Sequence, residues 1–231
     1  GTIPKRKDRY RLYLSIARPD SLFITDLQEK FQTAGIEVEN SNLGQLPETT
    51  WFHYPSDYLG DIVHSLNVRS DNLYAESVLR LLSLSAHEKG SAEKGIDIIR
   101  KYWQNYEADS LELFMYDGSG LARNNKVSAK YLNCVLKETA RDSLIGEYFV
   151  QTLPLAGKEG SVATFMKHGE LPGELRLKSG SMSDVHAYAG YYTTPQNRYA
   201  IVVMINNYTC TRAQLKQKIS TLLTQVLSKK E

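Results

Sequence analysis

The C-terminal part of the chain allows the fewest folds. Three stretches, Glu174–Ser179, His186–Thr193 and Tyr199–Asn206, read as the strands of a meander, and in the first Leu175 and Leu177 alternate with polar residues. That period of two predicts a half-buried strand there, and Pro195-Gln196-Asn197 supplies the turn between the last two strands. Leu215, Ile219, Leu222, Leu223 and Val226 then recur at helical spacing. Such a helix needs an apolar surface, and a neighbouring sheet face is the available one. The longest aliphatic run, Ala200–Ile205, is far too short to span a bilayer.

Upstream the pattern is mostly helical. Asp20 or Ser21 caps a helix through about Thr33, with Leu22, Leu27 and Phe31 inward. Pro55-Ser56-Asp57 starts another to about Leu66. The helix opened by Ser70 carries Leu73, Ser77, Val78, Leu81 and Leu82 as its apolar stripe. Ala92–Gln104, Val127–Thr139 and Leu144–Thr152 also read as helices, and Leu111–Met115 as a strand entering the turn Asp117-Gly118-Ser119-Gly120. Shorter extended pieces are expected at Leu12–Ile16 and Trp51–Tyr54, after a polar tail over the first ten residues. Helices followed by an antiparallel meander define an α/β chain of the α+β type.

Charge and cysteines exclude several functions. The net charge is +2 with dispersed basic residues, which gives no nucleic-acid footprint. Cys134 and Cys210 lack C-x-x-C or Cys/His spacing, so no zinc or redox site is expected; two separate buried thiols are the preferred reading and a single disulfide between them the alternative.

Two short motifs carry the chemistry. Ser70-Asp71-Asn72 is followed by Leu73-Tyr74-Ala75-Glu76, and Lys178-Ser179-Gly180 closes the first strand of the meander. Between them lie Tyr116–Arg123 (Y-D-G-S-G-L-A-R) and Thr152–Ser161 (T-L-P-L-A-G-K-E-G-S). Penicillin-recognising serine enzymes carry S-x-x-K, then S-D-N, then K-T-G. The succession here resembles the D-alanyl-D-alanine carboxypeptidase/endopeptidase family, the class C low-molecular-mass penicillin-binding proteins, from about Asp20 to the final helix. The resemblance implies a partial penicillin-binding/β-lactamase-like transpeptidase fold, with residues 20–231 its C-terminal part. Residues 1–19 would be the return from an insertion.

The resemblance also implies roles. Ser70 relays a proton between lysine and the leaving amine, Asn72 holds a peptide carbonyl, and Lys178 supplies a positive field. Ser179 takes the place of threonine in K-T-G and binds a terminal carboxylate, Gly180 leaves room for substrate backbone, and the Ser181 amide is half of an oxyanion hole. Asp117 and Ser119 border the cleft. Asp71 is expected to stabilise its helix N-terminus. Strict alternation puts Lys178 and Ser179 on opposite faces, so both reach one ligand only at a twisted strand or a sheet edge.

No S-x-x-K precedes Ser70 in these 231 residues. The one at Ser91-Ala92-Glu93-Lys94 comes after S-D-N, and Ser91 reads as a helix N-cap. The preferred reading is therefore a portion of a serine-type D-Ala-D-Ala carboxypeptidase. It would act on peptidoglycan stem peptides, bind β-lactams, need no cofactor, reside in the periplasm or envelope, and be inactive without the N-terminal segment of its parent chain. The alternative is a non-catalytic module that binds the same peptides. A third reading uses His64 or His186 with Asp184 to serve another serine.

Overall fold

In the computed structural model, residues 17–38, 53, 55–86, 89–106, 112–166 and 171–228 are described. The strand expected at Leu12–Ile16, the N-terminal tail, and Trp51, Phe52 and Tyr54 lie outside them. The chain divides into a unit of residues 1–54 and a unit of residues 55–231. The described part of the first is a helix, α1 (Pro19–Thr33), none of whose residues is buried.

In the second unit, β3 (Glu174–Met182), β4 (Val185–Thr193) and β5 (Arg198–Asn206) form an antiparallel sheet in that order. One face packs on α7 (Arg212–Leu227). Leu175, Leu177, Tyr188, Tyr192 and Ile201 meet Leu215, Ile219, Leu223 and Leu227 there. The opposite face, through Ala189, Tyr191, Ala200 and Val202, packs on α5 (Ala129–Arg141) and α6 (Gly146–Thr152). The buried stripe of α7 follows i, i+4, i+8 and i+12, which leaves Leu222 and Val226 exposed, contrary to expectation. The sheet is thus a layer between helices, and Cys210 and Cys134 belong to separate clusters.

The helical part consists of α2 (Leu59–Arg69), α3 (Asn72–Ser85) and α4 (Ala92–Trp103), with a small ribbon of β1 (Leu113–Phe114) and β2 (Lys126–Val127). Val127 is in that ribbon, and Ser128 caps α5 instead. The stripe on α3 is rotated from the expected one: Leu79 and Ser83 are buried, whereas Leu73 and Leu81 are exposed. Two glycines explain the rotation. A Cβ on Gly95 would lie 2.3 Å from the Leu79 carbonyl oxygen, and one on Gly118 would lie 2.6 Å from that of Ala75. α4 and the 117–120 turn therefore close on the Leu79 side of α3.

Three boundaries differ from the sequence reading in ways that shape the cleft. β3 runs on through Lys178-Ser179-Gly180 to Met182, so the motif lies within the strand and does not end it. α2 extends to Arg69. Ser70 does not start the next helix; it ends α2 in the left-handed region (φ 54°), and Asp71 caps α3 by accepting from the Tyr74 amide.

Candidate active site

The two motifs meet. Lys178 Nζ donates to Ser70 Oγ at 2.8 Å and to its neighbour's carbonyl, Ser179 O, at 2.7 Å. Ser70 is presented between two helices in a conformation a serine adopts only when its surroundings impose it. α6 helps to hold α2, because buried Asn67 donates to Thr152 Oγ1 at 3.0 Å. Burial holds the Lys178 ammonium below the ordinary lysine range. A lysine that loses its proton more readily, hydrogen-bonded to a serine hydroxyl, is suited to proton relay.

The strand edge sets the rest of the site. Segment 154–156 covers the start of the outer edge of β3: Ala156 N donates to Leu175 O (2.8 Å) and Leu177 N to Pro154 O (3.0 Å). In a strand, outward-facing backbone groups recur every second residue. Those of Ser179 and Ser181 therefore follow on the same edge, which no strand covers among the described residues. Lys178 reaches Ser70 from one face of this edge, while Ser179 Oγ donates to Ser161 Oγ at 2.7 Å on the other. The difficulty raised by alternation is met by the edge: the two side chains flank it. A Cβ on Gly180 would meet nothing within 4 Å, so packing within the described residues does not demand glycine there.

The Asp117 turn is bound to α3. Glu76 Oε1 accepts from the Gly118 amide (3.0 Å) and the Ser119 amide (3.1 Å). Asp117 accepts from Gly120 N, Ala122 N and Asn125 Nδ2 at 2.6–2.8 Å, so both of its carboxylate oxygens are engaged within its own loop. Asn72 stands exposed as the first residue of α3. Ser91 caps α4, accepting from Lys94 N. Glu76 and Ser161 lie inside the motif strings, but their roles are not legible in the sequence, because both act over long chain separations that no local pattern signals.

The histidine reading is not supported. His186 is buried with neither ring nitrogen hydrogen-bonded, and lies edge-on to Tyr188. Asp184 is exposed in the β3–β4 turn, and His64 is exposed on α2.

The D-Ala-D-Ala carboxypeptidase 3 (S13) family matches residues 1–229 of the sequence. The chain belongs to this family. It is 25% identical to the D-alanyl-D-alanine carboxypeptidase DacB of Haemophilus influenzae, over 96% of this chain and 48% of that protein. It is 24% identical to the penicillin-sensitive carboxypeptidase A of Dictyostelium discoideum, over 76% of this chain and 35% of the other. The S13 chain thus spans about half the length of the curated relatives it matches, or less. Among solved structures, penicillin-binding protein 4 (dacB) of Haemophilus influenzae, complexed with a β-lactam, superposes with a TM-score of 0.74. That match is 24% identical and covers 93% of this chain and 52% of the other. A predatory endopeptidase of Bdellovibrio bacteriovorus superposes at 0.60 with 19% identity, over 90% and 56%. Both likenesses establish the penicillin-binding fold, and family and fold together bear out the resemblance read from the motifs. Among the described residues, no helix is long and apolar enough to cross a membrane.

Proposed function

We propose that this chain supplies most of the recognition and proton-transfer half of a serine-type D-Ala-D-Ala carboxypeptidase acting on peptidoglycan stem peptides in the periplasm or envelope. The observation that carries the reading is the 2.8 Å contact from Lys178 Nζ to Ser70 Oγ, which joins the two motifs across 108 residues. The attacking serine is expected in an S-x-x-K segment, which is absent before Ser70, so these 231 residues alone form no acyl-enzyme.

The substrate lies along the open edge of β3 as an added strand, giving its backbone to the outward groups of Ser179 and Ser181. Its terminal carboxylate meets Ser179 Oγ and the field of Lys178, and Gly180 leaves the strand surface clear. The Ser181 amide is one oxyanion donor. Asn72 holds the penultimate carbonyl. Attack by the serine breaks the terminal peptide bond, and its proton passes by way of Ser70 and Lys178 to the departing amine; water then hydrolyses the ester. Asp117 and Ser119 border the cleft, Asp117 by shaping the turn. A β-lactam follows the same path and stops at the acyl stage.

The test is release of D-alanine from a stem peptide by the protein expressed with an S-x-x-K segment. Lys178→Ala and Ser70→Ala should each lower the rate by about 100-fold or more. An active protein whose rate neither substitution changes contradicts the assignment.

A further inference from the structure

Ser161 has no role in the proposal above, yet it is held more firmly than an exposed loop serine requires. It lies in the single turn Gly160–Val162. On one side Gly160 has φ 52°, and a Cβ there would lie 2.2 Å from the Val68 carbonyl oxygen on α2. On the other side Val162 is fully buried against Leu175 and Leu177, and its carbonyl accepts from Gly157 N (3.0 Å) and Phe165 N (2.9 Å). Pinned on both sides, Ser161 presents its hydroxyl 2.7 Å from Ser179 Oγ, beside the open edge of β3.

Two hydroxyls in contact have two protons and share one hydrogen bond, so one proton remains for a third partner. In the structure Ser179 Oγ donates to Ser161 Oγ. When an anion approaches Ser179, the favourable order reverses: Ser161 donates to Ser179, and Ser179 donates to the anion. A donor that is itself accepting a hydrogen bond is polarised and binds an anion more strongly. The contact also limits the side-chain rotation of Ser179, which otherwise samples three staggered positions.

We propose that Ser161 is a positioning residue for carboxylate recognition, aiming the Ser179 proton at the terminal carboxylate of the substrate. This rests on the carboxylate-binding role given to Ser179. It predicts a preference for ligands ending in a carboxylate over the matching carboxamides, part of which depends on Ser161.

The experiment measures reversible binding of N-acetyl-D-alanyl-D-alanine and its C-terminal amide, followed by the backbone resonances of Ser179–Ser181. It needs no nucleophile, so it is independent of acylation. Ser161→Ala should weaken the acid about five-fold and leave the amide unchanged, the scale of one neutral hydrogen bond. Ser161→Thr, which keeps the hydroxyl, should restore binding to within about two-fold. In a Ser179→Ala background, Ser161→Ala should have no further effect. Equal loss for acid and amide, no loss for either, or no acid preference in the unsubstituted protein overturns the inference. A protein that carries an S-x-x-K segment and binds the acid in this way but never acylates with a penicillin refutes the proposed enzyme and leaves the Ser161 role standing. Acylation with an unaffected Ser161→Ala variant does the reverse.

Discussion

Gly160→Ala tests whether the cleft is assembled by close packing between the 154–162 segment and α2. The glycine has φ 52°, where an L-residue costs about 1–2 kcal/mol. Beyond that, the new Cβ would lie 2.2 Å from Val68 O, 3.0 Å from its carbonyl carbon and 3.2 Å from its Cα. A comfortable carbon–oxygen contact is about 3.3 Å or more, so the backbones must part by about 1 Å. The obstacle is helical backbone two residues before Ser70, which cannot rotate aside as a side chain would. Gly120→Ala is the matched control: its φ is 77°, and its Cβ would meet nothing within 4 Å. The loss of unfolded-chain freedom on replacing glycine is common to both and cancels in the difference. Gly120→Ala should cost about 1 kcal/mol, and Gly160→Ala about 1–3 kcal/mol more, the usual range for overpacking. Urea unfolding with constant m reads the difference. Equal midpoints for the two variants would refute the packing argument.

Two further predictions concern pH. Carboxylate binding that uses the Lys178 charge should fall on the alkaline side with a midpoint below 10.5, because burial disfavours the ammonium; Lys178→Met should remove that limb, and a limb that survives contradicts the role. His186, buried beside Tyr188 and near Arg212 and Lys216, has its pKa lowered by burial below the ordinary 6.5. The unfolded chain therefore takes up the proton first, and stability should decline as pH falls below 6.5, then level off beneath the folded value. The slope should reach at most about 1.4 kcal/mol per pH unit, and His186→Leu should abolish it. An unchanged slope in the variant assigns the acid sensitivity elsewhere.

The parts legible in the sequence were those where local pattern and global packing agree. The run Ala200–Ile205 in β5 is continuously apolar because helices cover both faces of the β3–β5 sheet, and α7 is amphipathic because it covers only one of them. The motifs pointed to Ser70 and Lys178 because their flanking residues are specific. The end of β3 was missed for a physical reason. Beyond Lys178 the strand leaves the core and lines the cleft, so Ser179-Gly180-Ser181 carries none of the apolar residues that mark a strand. Ser70 was expected to open α3; Asp71 caps that helix instead, and Ser70, in the left-handed turn before it, meets Lys178. Glu76 and Ser161 stayed silent because their partners, Gly118 and Ser119 for one and Ser179 for the other, are long-range in the chain.

The most direct test of the central claim is intact mass after incubation with a penicillin, for these 231 residues alone and for the protein carrying an S-x-x-K segment as well. The account predicts no adduct on the first and one adduct on the second, mapped to the S-x-x-K serine. An adduct on Ser70 or Ser91 of the shorter chain, or none on either protein, would contradict it.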